Sequence, residues 1–314
     1  MMRIGWNAGG YKRSLDEIRA EARRAAAEGF PSFWLSQIAG PDALTALAAV
    51  APDAPGIELG VSVVPVYGRH PVALAQQALT AQAATGGRLA LGIGASHRIL
   101  VETTLGASYD RPFTRTREAL RALRALLAGE AISLEGAEIT ARGALAIDGA
   151  PPPPILLAAL GPRMIELAGR EADGVTLWMV GPRTLAEHVA PRLRAAAAAA
   201  ARPEPRILAG FPVCLTEDPA RARAFAAKRL EAYGRLPAYR AALEREGAAG
   251  PEAILAAGDE AAVRERLAAY AAAGATDVRV NALCPTPDEA GRTIELLAAL
   301  ARESRRATPA GGAA

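Results

Sequence analysis

Apolar residues recur at alternate positions through Ile57, Leu59, Val61 and Val63, and the run breaks at Pro65. Period-two alternation of this length predicts a strand. Similar runs recur at Ile4–Asn7, Phe33–Gln37, Leu89–Ser96, Ile155–Leu160, Val175–Val180, Ile207–Thr216 and Val278–Leu283. Helical segments separate them, and most carry a start or stop signal. Ser14-Leu15-Asp16-Glu17 is a capping box, and Gly29 is placed to end the helix that it opens. Pro71, Pro162 and Pro182 stand where a first helical residue is expected, because that position has no intrahelical N–H bond to lose. Asp259 caps a helix that Gly274 ends, and the alanine run 195–201 belongs inside a helix.

Eight strands alternating with helices predict an α/β chain folded as a (β/α)8 TIM barrel. Two stretches exceed the bare repeat. Ala131–Asp148 reads as an insertion between strands 4 and 5, a pair of short strands around Glu135-Gly136. The crossover after strand 7, from about Asp218 to Gly258, is long enough for two or three helices. Residues 1–303 are expected to form one domain, and the Gly/Ala/Pro-containing tail 304–314 is expected to be disordered. A doubly wound sheet is the rival fold, supported only by Gly92-Ile93-Gly94. That fragment lacks the third glycine of a dinucleotide loop.

Composition narrows the function more than the fold. Hydrophobic residues make up 51% of the 314 and aromatic residues only 4%, so the core must be mostly Ala, Leu and Val. The net charge is +3, and no Lys/Arg stripe with interleaved aromatics suggests nucleic-acid binding. Cys214 and Cys284 lie in apolar runs and read as buried small hydrophobes in a reducing compartment. No Cys/His spacing points to a metal. MMRIGW lacks a signal-peptide layout, and no apolar run reaches the roughly 20 residues of a membrane span, so a cytoplasmic protein is expected.

Barrel enzymes carry their chemistry at the C-terminal ends of the strands. Here those ends supply Asn7, Gln37, Ser62–Val63, Ser96–His97, Ala159–Pro162, Trp178–Met179 and Asn281. The set holds one imidazole and no pair of carboxylates. Glycoside hydrolysis needs two facing carboxylates, and a metal hydrolase needs more ligands than these. A neutral, hydrogen-bonding mouth instead suits a bound redox cofactor that carries the difficult chemistry itself. Leu160-Gly161-Pro162-Arg163 joins a strand to a helix, where free backbone N–H groups make an anion site. A tight strand–helix turn would use the same residues. His97 has a side chain that titrates near neutrality and could exchange a proton, or could simply cap the next helix. His70 reads as the cap of the helix opened by Pro71, His188 as a surface residue in mid-helix, and Trp6 and Trp34 as packing residues.

The joint occurrence of LGVSVVP followed by RHP, GRLALGIG, AALGPR, and ADG ahead of strand 6 resembles the luciferase-like monooxygenase superfamily. The nearest branch is that of oxidoreductases using the deazaflavin coenzyme F420. The resemblance spans Ile4 to about Leu300. It implies a non-prolyl cis peptide at Ser62–Val63, forming a bulge that supports the back of the coenzyme ring. It implies a coenzyme phosphate held at Ala159, Leu160, Gly161, Pro162 and Arg163. Asn7, Gln37 and Ser96 would bond the ring edge, Trp178 and Met179 would wall the site, and His97 would be the catalytic proton donor. Arg69 and His70 would be mainly structural. The implied reaction is hydride transfer between F420 and a small organic substrate bearing C=C, C=N or C=O/alcohol, in a homodimer. FMN in place of F420, or a non-catalytic flavin- or deazaflavin-binding protein, are the alternatives. Sugar-phosphate dehydrogenases of this family carry Asp-His after strand 2, where this chain has Gln37-Ile38, so sugar-phosphate oxidation is not expected.

Overall fold

The computed structural model describes residues 2–9, 13–149 and 151–306. Strands β1 (Arg3–Gly9), β2 (Ser32–Leu35), β3 (Glu58–Pro65), β4 (Leu89–Gly94), β5 (Ile155–Ala158), β6 (Gly174–Trp178), β7 (Arg206–Leu215) and β8 (Asp277–Ala282) pair in parallel, each with the next. β8 returns to β1 and closes the barrel. Every strand expected from the hydrophobic pattern forms. Several end about two residues early, because the chain leaves the ladder there to build the loops of the mouth: Ser96 and Met179 lie at φ +62° and +56°.

Register defines what fills the barrel. Trp34 on β2 lies level with Gly60 on β3, and its ring occupies the interior with Ala90, Leu156 and Leu208. Gly5 and Gly60 make this possible, since a Cβ at either would overlap the tryptophan or Ser32. The buried indole N–H donates to Ser32 Oγ at 2.9 Å, so a large apolar body enters without an unpaired donor. The N-terminal end is closed by charge. Arg206 donates paired bonds of 2.8–3.0 Å to Glu58 and 2.8–2.9 Å to Asp277. Burial alone would lower its pKa, but the two carboxylates raise it above the ordinary arginine value.

The outer layer follows the punctuation. Ser14 and Glu17 complete their capping box, and Gly29 ends that helix at φ +89°. Pro71, Pro162 and Pro182 each begin a helix, and Asp259 accepts from Ala262 N at 2.9 Å. The helix containing the alanine run stops at Ala199, and Ala201 has turned to φ +52°. The insertion is an antiparallel hairpin, Ile132–Glu135 with Thr140–Gly143. The buried Glu118 carboxylate fixes its turn by accepting from the N–H groups of Ala137, Glu138 and Ile139, each at 2.9 Å.

The crossover after β7 holds helices Pro219–Arg235 and Pro237–Glu246 and a 3-10 turn, then a short strand, Ala256–Gly258, that adds to the end of β7. A three-residue strand is too short to announce itself in the hydrophobic pattern. The last helix runs through Arg306, and buried Ser304 donates to the Met2 carbonyl at 2.6 Å. The boundary expected at residue 303 therefore falls inside a packed helix. Residues 307–314 of the expected tail lie outside the described residues.

Candidate active site

The floor of the barrel mouth is set by strand parity. Registers Gly5–Arg279, Arg279–Gly210 and Trp178–Gly210 place these four positions at one level of β1, β8, β7 and β6. Asn7, Ser62, Thr176 and Asn281 face the same interior by the two-residue repeat. The peptide Ser62–Val63 is cis, and the β3–β4 register slips between Val61 and Val64, so the expected bulge is present. Ser62 Oγ and Thr176 Oγ1 lie 2.7 Å apart across the barrel. Gly92 and Gly94 let β4 pass beside the bulge. A Cβ on Gly92 would run into the Val61 carbonyl and lie 3.2 Å from Val63 Cγ1, and one on Gly94 would lie 3.0 Å from Val63 Cγ2. The G-x-G in the sequence is thus a packing requirement of this shelf.

The junction after β5 forms the second part. Ala159 is buried, Leu160 and Gly161 are half-buried, and Pro162 and Arg163 are exposed. Gly161 caps helix Pro162–Glu171 without a side-chain bond, so the first-turn N–H groups of Arg163 and Met164 have no intrahelical acceptor. A Cβ on Gly161 would meet no atom within 4 Å, so this junction opens to free space. The Arg163 guanidinium rests 4.1 Å from the centroid of Phe113, beside the same helix start. These features fit a phosphate.

His188 supports this junction from behind and corrects the expectation of a surface residue. It is 8% exposed, on a π-helical turn, Leu185–Val189. The wider turn swings the ring inward. His188 Nε2 donates to Leu160 O at 3.3 Å, while Nδ1 accepts from Arg192 at 3.0 Å. Burial and the nearby Arg245 and Arg192 lower its pKa, with the Leu160 bond opposing them. The neutral tautomer satisfies both bonds.

The remaining candidates divide. Asn7 is buried and accepts from Gly9 N at 3.4 Å. Gln37 accepts from Ala43 N through its side-chain oxygen at 2.7 Å, at the start of helix Ala43–Val50, which leaves its NH2 free to donate. Ser96 is held by its carbonyl, which accepts from Tyr109 OH at 2.9 Å. Met179 is 1% exposed and packs in the core, not in the wall expected of it. Trp178 stays half-buried, with Tyr233 edge-on at 6.3 Å. His97 precedes helix Arg98–Thr103 but makes no side-chain cap bond. Its ring lies 5.8 Å from that of Tyr239, and burial lowers its pKa. His70 is structural: Nδ1 accepts from Val72 N at 3.3 Å and Nε2 donates to Thr140 O at 2.9 Å. Arg69 pairs with Asp42.

Four residues escaped sequence reasoning. Tyr233 and Tyr239 come from the two crossover helices and cover the mouth, their rings 5.0 Å apart. Glu246 fastens that cover by accepting from Arg183 N at 3.2 Å and Thr184 N at 2.7 Å, just beyond β6. Arg279 projects from β8 into the floor and is 3% exposed. Its signal was an arginine between Val278 and Val280 in a strand-like run.

Among the described residues no group of three His, Cys, Asp or Glu side chains could hold a metal, and no helix is long and apolar enough to cross a membrane. Cys214 is buried and Cys284 half-buried, and both are free thiols.

Known proteins resemble this chain in sequence and in fold. A 5,10-methylenetetrahydromethanopterin reductase of Methanolobus tindarius is 29% identical over 215 residues, covering 68% of this chain and 65% of the relative. The chain thus matches just under two thirds of that protein. An F420-dependent glucose-6-phosphate dehydrogenase of Beutenbergia cavernae is 31% identical over 244 residues, 73% of this chain and 72% of the relative. The solved coenzyme F420-dependent tetrahydromethanopterin reductase of Methanopyrus kandleri superposes with a TM-score of 0.79 at 20% identity, covering 94% of this chain and 97% of that one. The model of the luciferase-like monooxygenase family matches residues 2–303, and the chain belongs to that family.

Proposed function

We propose that this protein is an F420-dependent oxidoreductase transferring a hydride between the deazaflavin and a small organic substrate with a C=C, C=N or C=O/alcohol group. The observation that carries the reading is one barrel mouth holding both a bulged backbone shelf, where the β3–β4 register slips between Val61 and Val64, and an uncapped helix start at Gly161–Arg163. A flat ring and an anionic tail need that combination. The names of the relatives support F420 in that role. When bound, the deazaflavin supplies or accepts the hydride.

The chain's own contribution is position and proton management. Ser62, Val63 and the glycines behind them would support the ring. Arg163 and the first-turn N–H groups would hold the phosphate, with His188 fixing the Leu160 carbonyl. Tyr233 and Tyr239 exclude water from the floor, which strengthens every polar contact within it. Burial favours neutral His97. Neutral imidazole takes a proton from an alcohol in the oxidative direction, and its protonated form returns one in the reductive direction. Gln37-Ile38 after β2 leaves out the acid–base pair of sugar-phosphate oxidation.

The test is anaerobic turnover. Reduced F420 is mixed with a panel of enones, imines and ketones, and oxidised F420 with alcohols, while the deazaflavin absorbance is followed. Turnover without dioxygen is expected, and His97→Ala should lower kcat by about 100-fold with little change in F420 affinity. A strict requirement for FMN and dioxygen overturns the reading. An unchanged kcat in His97→Ala, with hydride transfer limiting, overturns the role of His97.

A further inference from the structure

We propose that Arg279 is the residue by which this site selects its substrate, and that the substrate carries a carboxylate. The proposal rests on the hydride-transfer reading and names the substrate class for that same mouth.

The two deeply placed arginines of the barrel differ sharply. Arg206, at the opposite end, holds Glu58 and Asp277 through four bonds of 2.8–3.0 Å. Arg279 is 3% exposed and has no carboxylate partner among the described residues. Its side chain makes a single long hydrogen bond among the described residues, from a terminal nitrogen to Leu177 O at 3.4 Å, and its Nε is buried without a partner. Burial lowers its pKa to about 10, which still leaves it charged at neutral pH. A guanidinium taken out of water without a counter-charge is costly unless an anion completes it.

The surroundings are built to hold that charge in place. The guanidinium carbon lies 5.1 Å from the centroid of the Trp178 ring, a cation–π contact. Gly210 clears the space, since a Cβ there would lie 2.9 Å from Arg279 Cζ and 2.8 Å from Trp178 Cε3. Two more polar atoms of the floor are buried without partners: Trp178 Nε1 and Asn281 Oδ1. Asn281 follows Arg279 by two positions and shares its face of β8. The site therefore presents a guanidinium fork, an indole N–H and a side-chain amide whose outward atom depends on its flip. Two planar oxygens match that fork, and a monoanion balances a single cation where a phosphate dianion would leave net negative charge buried.

The anion site and the proposed proton site share one neighbour. Tyr239 lies 5.8 Å ring to ring from His97 and is an electrostatic neighbour of Arg279. Tyr239 thus borders both the proposed carboxylate site and the proposed proton site.

The experiment compares benzoate with benzamide, which share size and shape but differ in charge, and adds inorganic phosphate. Binding is measured calorimetrically to the apo-protein and to the F420-saturated protein, for wild type, Arg279→Met and Arg279→Lys. F420 affinity is measured separately for each. Wild type should prefer benzoate over benzamide by at least about tenfold. Arg279→Met should remove that preference while F420 affinity stays within about twofold, and Arg279→Lys should keep part of it. If Arg279→Met does not fold, the wild-type preference and its reduction in Arg279→Lys decide the matter in its place. Equal binding of benzoate and benzamide to wild type overturns the proposal, as does unchanged benzoate binding in Arg279→Met. Preference for phosphate, or loss of F420 binding in Arg279→Met with no benzoate binding to wild type, overturns it too, assigning the cation to another anion or to the coenzyme. Failure of wild type to bind F420 would defeat the hydride-transfer reading, while the apo-protein titrations still decide the role of Arg279.

Discussion

Gly92→Ala is the smallest change that should disable the coenzyme shelf. The added methyl would sit well under 3.0 Å from the Val61 carbonyl oxygen, 3.2 Å from Val63 Cγ1 and 3.3 Å from Ser62 Cα. The Val61 oxygen is backbone, so no rotamer relieves the overlap, and β3 and β4 must separate by about 1 Å. Overpacking of this kind costs about 1–3 kcal/mol of stability. Because the displaced residues are the shelf itself, a shift of about 1 Å should lower hydride transfer by about 100-fold. Gly161→Ala is the matched control for stability, since its methyl would meet nothing within 4 Å. Urea denaturation followed by circular dichroism reads the first effect, and single-turnover hydride transfer reads the second. A Gly92→Ala protein with wild-type urea midpoint and wild-type single-turnover rate would refute the packing argument.

Two other perturbations separate stability from function. Arg206→Met leaves Glu58 and Asp277 at the closed end of the barrel with only the longer Arg3 ion pairs among the described residues, at 3.5 and 3.3 Å. Breaking a buried network of this sort costs about 3–5 kcal/mol, and partial exposure of Arg206 and Glu58, at 17% and 21%, favours the lower end. Denaturant titration should show that loss with the turnover rate per folded molecule unchanged; a loss below about 1 kcal/mol would make the network ornamental. Mild acid should also weaken the fold. Burial holds His97 and His188 below their ordinary value of 6.5, so the unfolded chain binds protons that the native state does not. Their contribution is complete above 6.5 and is lost as pH falls through that value toward the native one. Urea midpoints at several pH values between about 7.5 and 5.5 should fall in wild type and fall less in His188→Gln; parallel curves would contradict the buried, neutral His188.

Much of this was legible in the sequence for identifiable reasons. Strand and helix periods, proline at first helical positions, and the Ser14–Glu17 box are local signals, and each forms as read. The bulge at Ser62–Val63 was legible only through resemblance, because nothing in a run of apolar residues states where the ladder slips. What stayed hidden depends on long-range placement. His188 looked exposed because it lies in mid-helix with no motif around it; a π turn and the Leu160 carbonyl, 28 positions earlier, turn it inward. Arg279 lay inside the strand-like run Val278–Leu283, of which only Asn281 was singled out. Only barrel closure, which sets it beside Gly210 and Trp178, shows that no carboxylate among the described residues answers it. Tyr233 and Tyr239 reach the mouth only because the long crossover folds back and Glu246 pins it.

The most direct test of the central claim is a fluorescence titration of purified apo-protein with F420 and, separately, with FMN. Binding of F420 at micromolar concentration or below, with FMN markedly weaker, is the predicted result. Preference for FMN, or binding of neither, would contradict the assignment of the Ser62–Val63 shelf and the Gly161–Arg163 junction to a deazaflavin coenzyme.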